Sequence, residues 1–259
     1  MFCEKSSINT PKLISYNLGS SFCFNNENEK ISCKNELIHF FEKVFTALNI
    51  EELFFRPPSE YGGKGCFKLT RTLLNTEIDD RYESIVNGCF VHTEIINQHK
   101  EINKIHSKCV NTIRIISLIT PEGNIEIVSA FMRFGVGNSP VDNSSSGGFY
   151  VGVNLSDGTL RSSGLYLLEY GGGDLYEHPD SGFKLEGFKI PFFKEACKDV
   201  VNAVKVLPDR FIGWDVAITQ NGPTIVEANW DPNIFSCGYV QGGLLKNEHI
   251  KNLVDELKK

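Results

Sequence analysis

Apolar positions recur along the chain at two spacings. Leu37, Phe41, Val44 and Leu48 step by three and four, which predicts an amphipathic helix with Ser32 or Asn35 capping its start. Phe193, Ala196, Cys197, Val200, Val201 and Val204 form a second helical face, with Pro191 in the first turn. Ile250, Leu253, Val254 and Leu257 mark a last helix over about 244–257. Elsewhere, β-branched and aromatic runs bounded by turn residues predict strands at 12–16, 22–24, 53–55, 66–74, 89–96, 112–120, 125–134, 148–155, 211–219 and 223–229. The polar run Asn25 to Lys30 reads as a turn, and Pro121-Glu122-Gly123-Asn124 reads as a hairpin connection. Consecutive antiparallel strands with segregated helices indicate an α+β protein.

Composition narrows the function classes. The chain has 259 residues, 41% of them hydrophobic and 22% charged, with 23 glycines, which is a globular balance. No apolar run approaches the ~18 residues of a membrane span. Met1-Phe2-Cys3-Glu4-Lys5-Ser6 lacks the basic and apolar regions of a secretory signal. A net charge of −6, with neither sign gathered in a block, excludes a general nucleic-acid binder. The eight cysteines, at 3, 23, 33, 66, 89, 109, 197 and 237, show no Cys-x-x-Cys pair and no zinc spacing. Scattered thiols of this kind suit a reducing, cytoplasmic setting.

Four segments interrupt the apolar runs with chemistry. Arg56 ends a strand and is followed by Gly62, Gly63, Lys64 and Gly65, a loop whose backbone N–H groups and lysine can cover phosphates. It is not a P-loop, because no Lys-Ser/Thr pair opens a helix, and alone it reads as an ordinary glycine-rich hairpin. Glu94 follows another strand, where its carboxylate can take the hydroxyls of a ribose. Arg114 and Arg133 each break an apolar strand, either as phosphate or carboxylate receptors or as structural ion pairs. Asp215, Glu227 and Asn229 place hard oxygen atoms on two apolar strands, a donor set suited to Mg²⁺. Val141 to Gly148 reads as a flexible polar loop lining a substrate entrance, and His99 and His178 read as loop surface.

The serial order of these segments resembles that of the ATP-grasp enzymes, most closely the sugar-transfer-associated ATP-grasp family. The resemblance rests on Val110 to Arg114, Phe131 to Gly135, Val141 to Asn143 with Gly147-Gly148, His178 to Gly182, Gly213 to Ala217, and Glu227 to Asn229. It implies an ATP-grasp fold, two α+β subdomains with antiparallel sheets that hold ATP between them. Residues 1–97 would form the amino-terminal subdomain with the flap, and 98–259 the carboxy-terminal one with the metal and substrate site. It further implies a ligase that uses ATP and Mg²⁺ to join a small-molecule carboxylate to an amine through an acyl-phosphate, decorating a surface-polysaccharide sugar or a peptide-like product. Asp215, Glu227 and Asn229 would hold Mg²⁺. Arg56, Gly62, Gly63, Lys64, Gly65 and Glu94 would bind the nucleotide, and Arg133 with Arg114 would neutralise the transferring phosphoryl group. Two departures stand out: the family usually has lysine where Arg56 stands, and the amino-terminal region looks shortened. They leave a kinase and an inactive nucleotide-binding module as alternatives.

Side-chain alternation makes the metal reading conditional on register. A three-residue loop, Gln220-Asn221-Gly222, with Thr219 facing Pro223 and Gly222 at positive φ, is expected to bring Asp215 opposite Glu227. A two-residue Asn221-Gly222 turn would place them on opposite faces.

Overall fold

The computed structural model describes residues 8–59, 62–232 and 234–258. The reading of Met1 to Ser6 lies outside the described residues. The described residues divide into two compact units, Pro11–Ile95 and the residues from Ile96 onward, the second also including residues 8–10. Each is α+β, with an antiparallel sheet.

In the first unit, β1 (Leu13–Leu18), β2 (Ser21–Phe24), β3 (Glu27–Lys30), β4 (Glu52–Arg56), β5 (Phe67–Thr70) and β6 (Cys89–Thr93) make one sheet, in the order β3-β2-β1-β6-β4-β5. Helices α1 (Lys34–Leu48) and α2 (Leu74–Asn87) share its core. The apolar stripe of α1 is fully used, since Leu37, Phe40, Phe41, Val44 and Phe45 are all buried. Its start departs from expectation. Cys33 occupies the N-cap without a side-chain bond, so neither Ser32 nor Asn35 caps it; instead the Glu36 carboxylate accepts from the Ser32 N–H at 2.6 Å. The polar run after Phe24 is also shorter as a turn than it reads. Asn25 and Asn26, at φ 51° and 65°, reverse the chain in two residues, and Glu27–Lys30 pairs back as β3. The strand expected over 66–74 ends at Thr70, and a 3-10 turn, Arg71–Leu73, leads into helix α2, which the sequence reading did not include. Only Leu74, Ile78 and Ile85 of its 14 residues are buried, so its periodicity is faint.

In the second unit the strands are β7 (Thr112–Ile119), β8 (Ile125–Phe134), β9 (Phe149–Val153), β10 (Leu160–Tyr166), β11 (Asp174–Leu175), β12 (Phe211–Thr219) and β13 (Gly222–Asn229). The sheet order is β11-β10-β9-β8-β7-β12-β13. A four-residue helix, α3 (Lys100–Asn103), precedes β7. Ile113, Ile115, Met132, Trp214 and Val216 pack with Ala196, Val200 and Val204 of α4 (Phe193–Val206). Ile116, Leu118, Phe131 and Tyr150 pack in a separate cluster with Cys237 and Val240 of α5 (Ile234–Gln241) and Ile250 of α6 (Glu248–Leu257). Cover on both faces explains why β7 and β12 read as continuous apolar runs. Pro191 lies outside α4, because Phe192 takes the N-cap at φ 56°. The last helix is shorter than expected: Asn247 caps it by accepting from the N–H groups of His249 and Ile250. The polar strand β10 and helix α5 are additions to the expected elements.

One buried polar group ties the first sheet together. His92 is fully buried among Phe22, Phe41 and Phe55, with 4.1 Å between its ring centre and that of Phe55. Its ring nitrogens meet Ser15 Oγ at 2.8 Å and Asn17 Oδ1 at 3.2 Å. Burial pushes the imidazole down to about 3. Its stabilising contribution is therefore complete above the unfolded value of about 6.5 and falls as pH drops from there toward 3. The expected loss from this group is about 2 kcal/mol between pH 6.5 and 5, at roughly 1.4 kcal/mol per unit. Denaturant titrations at the two pH values check it: His92→Gln, which carries no titratable group, should show that much less acid sensitivity than the wild type.

Candidate functional site

The site grows from strand register in the second unit. β7 and β12 pair with Arg114 opposite Asp215, and β12 and β13 pair with Asp215 opposite Glu227. Directly opposed residues share a face, so the three side chains form one cross-sheet row. Gly213 faces Asn229, which puts Asn229 on the same face one step along. Gly213 is required there, since a Cβ would fall 2.7 Å from Pro232 Cβ and 3.0 Å from Arg114 Cδ.

The row is reached differently from the expected three-residue loop. The turn holds two residues, Gln220 and Asn221, with Thr219 paired to Gly222. Gly222 does have positive φ, 127°. That register alone would set Asp215 against Val226. The pairing shifts between Val216↔Ile225 and Asp215↔Glu227, so Val226 is the extra residue of a bulge inside β13. The bulge restores the shared face of Asp215, Glu227 and Asn229.

Asp215 is 3% exposed and sits between two guanidinium groups. Arg114 Nε donates to Oδ1 and its Nη2 to Oδ2 at 3.0 Å, a bidentate fork. Arg133, on β8, reaches Oδ2 through Nη2 at 2.9 Å. Arg133 also donates to Thr112 Oγ1 at 2.5 Å from Nη2 and 3.1 Å from Nε. Thr112 in turn gives both its N–H (2.7 Å) and its hydroxyl (2.6 Å) to Asp142 Oδ2. Burial acts against the Asp215 carboxylate, but Arg133 and Arg114 outweigh it and hold the group below the usual range. At Asp142 burial prevails over Arg133 and Thr112, and the carboxyl is raised. The Arg133 guanidinium is held charged despite its burial by Asp142, Asp215 and Glu227.

Arg114, Arg133, Asp215, Glu227 and Asn229 thus come together, and both arginines are ion-paired. Thr112 and Asp142 belong to the same cluster; their segments carry the family resemblance, but the sequence reading gave neither residue a role in the site. Asp142 stands in a polar stretch that reads as a flexible loop, yet it is 7% exposed. The remaining candidates lie in the first unit. Arg56 closes β4, opposite Val91. Gly62, Gly63 and Gly65 have φ of 69°, 75° and 73°, the left-handed region that favours glycine, and Lys64 between them is exposed. Glu60 and Tyr61 of that loop lie outside the described residues. Glu94 follows β6 at the surface, its carboxylate accepting from the Lys12 N–H at 3.0 Å. His99 caps α3 through Nδ1, and His178, far from being surface, is wholly buried.

The oxygen atoms of Asp215, Glu227 and Asn229 fit a hard divalent ion such as Mg²⁺. Both Asp215 oxygens already meet guanidinium groups, so an ion there would share Asp215 with Arg114 and Arg133.

The two antiparallel α+β units are those of the ATP-grasp fold, and solved structures agree. An N5-carboxyaminoimidazole ribonucleotide synthetase in complex with ADP superposes with a TM-score of 0.52 at 12% identity, over 97% of this chain and 48% of that one. D-alanyl-alanine synthetase A from Vibrio cholerae gives a TM-score of 0.51 at 10% identity, over 96% and 58%. The chain therefore spans about half the length of these structures. No curated protein matches its sequence significantly. The profile of the sugar-transfer associated ATP-grasp family matches residues 81–252, and the chain belongs to that family.

The Thr112 hydroxyl joins the two carboxylates through Arg133, so its removal is informative. Thr112→Val keeps the shape and strips the bridge, at an expected cost of about 1–3 kcal/mol. Urea denaturation should show a lower midpoint with an unchanged slope.

Proposed function

We propose that the chain is an ATP-dependent ligase that joins a carboxylate to an amine through an acyl-phosphate. The observation that carries this reading is the row Arg114–Asp215–Glu227 with Asn229 beside it and Arg133 bonded into it. Phosphoryl transfer needs positioned cations and oxygen ligands more than covalent participation, and the row supplies both.

In this reading Asp215, Glu227 and Asn229 hold Mg²⁺, which when bound neutralises phosphate oxygens. Arg133 carries a fixed positive charge in a buried site, where its field acts with little screening on the phosphoryl group as it transfers. Arg114 orients Asp215 and adds a second cation. The loop of Gly62, Gly63, Lys64 and Gly65 offers backbone N–H groups and an ammonium to phosphates, with Arg56 at its base. Glu94 accepts from ribose hydroxyls through its carboxylate. The acceptor is a small-molecule carboxylate, a surface-polysaccharide sugar acid or a peptide-like compound, and the family's association with sugar transfer supports that range.

The direct experiment is an ADP-release screen of carboxylate and amine pairs with Mg²⁺ and ATP. The expected result is ADP formation only when both acceptors are present, with a condensed product. A stable phosphoester without an amine would establish a kinase instead.

Glu227 is the exposed member of the oxygen set, so it can be changed with little risk to the core. Glu227→Gln should cut turnover by at least tenfold and remove the dependence of ATP affinity on divalent metal, with an unchanged circular dichroism spectrum. Calorimetry with and without EDTA checks this, and equal ATP affinity in both conditions for the wild type would sink the metal assignment.

A further inference from the structure

A second polar cluster in the second unit takes no part in the proposed ligation. His106, in the loop before β7, and His178, in the loop after β11, are 4% and 0% exposed. Their rings stack 4.9 Å apart at 20°. Asp180, with its side chain 41% exposed, closes the group toward solvent. One ligand atom from each of the three lies within 4.8 Å of the others, the single such grouping of histidine, cysteine, aspartate and glutamate among the described residues.

The hydrogen bonding sets the two imidazoles differently. His178 Nε2 lies 2.9 Å from the Gly135 carbonyl, which fixes the proton on Nε2 and presents the Nδ1 lone pair. An imidazole N–H held by a backbone carbonyl is the usual outer support of a metal-ligating histidine. Only the Asp180 N–H, 3.2 Å away, now meets that lone pair. His106 is less satisfied. Its Nε2 is buried without a hydrogen-bond partner, and its Nδ1 faces Asp180 Oδ2 at 3.6 Å, beyond hydrogen-bond range. The nitrogen that faces the cluster is Nδ1, the one placed to share an ion with His178 and Asp180. The 3.6 Å separation is close to the roughly 3.4 Å between neighbouring ligand atoms around an ion with ~2.0–2.1 Å bonds.

The geometry points to a transition-metal site formed by His106 Nδ1, His178 Nδ1 and an Asp180 carboxylate oxygen, taking Zn²⁺ or a similar borderline divalent ion with water in the fourth position. Two imidazoles and one carboxylate are a softer set than the all-oxygen row of Asp215, Glu227 and Asn229, so the two sites select different ions. The ion would clasp two loops to the end of β8, where the Gly135 carbonyl supports His178. Arg133, two residues earlier on β8, belongs to the ion cluster, so the clasp would also fix the strand that carries it.

The test uses the full chain, stripped with EDTA and then titrated with Zn²⁺, and separately with Co²⁺ read by visible absorption, both without nucleotide. One Zn²⁺ per chain is expected, with a Co²⁺ spectrum showing nitrogen and oxygen ligation and no sulfur charge-transfer band. Asp180→Ala, at a partly exposed position, should weaken binding at least tenfold, whereas Glu227→Gln should leave it unchanged. Absence of stoichiometric binding, or binding that survives Asp180→Ala as it would at exposed cysteines, overturns the site. Loss of binding in Glu227→Gln with retention in Asp180→Ala also overturns it, by moving the ion to the oxygen row.

Discussion

The charge balance around Asp215 governs the second unit. Four ionisable side chains, two of each sign, meet on or beside one sheet: Arg114, Asp142 and Asp215 are buried, and the Arg133 side chain is 12% exposed. Removing one charge from such a group leaves another buried and uncompensated, which typically costs 3–5 kcal/mol, so each residue depends on the rest. The backbone has been shaped to permit this arrangement. Gly213 leaves room for the stem of Arg114, and the bulge at Val226 turns Glu227 and Asn229 onto the face where Asp215 stands.

The same cluster shapes the chemistry open to the site. An unpaired buried aspartate would be driven toward its neutral form, a poor ligand for a cation. Between Arg114 and Arg133 the Asp215 carboxylate keeps its charge, and Arg133 is kept charged by the acidic groups around it. Cation and anion are thus each stabilised by protein charges fixed in place, and in the proposed ligation preorganised charges of this kind would act on the transferring phosphoryl group. Thr112 extends the order to Asp142 and so to the stretch that begins at Val141.

Much of this was legible in the sequence where physical signals are local. The strands β7 and β12 announce themselves because both of their faces are buried, β8 and β13 through their β-branched and aromatic runs, and α1 through its apolar stripe. Helix α2 escaped because three buried residues in fourteen give little periodicity, and β10 because Leu160 to Tyr166 is largely polar. Arg114 and Arg133 stand out as charges inside apolar runs, but the sequence left open whether they meet a substrate or an aspartate. That choice depends on which residue lies across the sheet, and cross-strand distance has no local signature. The register of β13 shows the limit well: Asp215 does oppose Glu227, through a bulge within the strand and not through the length of its turn. Asp142 reads as part of a flexible polar loop and His178 as loop surface, because burial of a single polar residue in a loop is set wholly by tertiary packing.

A double-mutant cycle on Arg114 and Asp215 tests the central claim most directly. Unfolding free energies are measured for Arg114→Met, Asp215→Leu and the pair. Each single change strands a buried charge, whereas the pair leaves Arg133 balanced by Asp142, so the double variant should be more stable than the summed single effects imply, by about 2 kcal/mol or more. Strict additivity, within the few tenths of a kcal/mol found for independent sites, would contradict a structure organised by one shared charge balance.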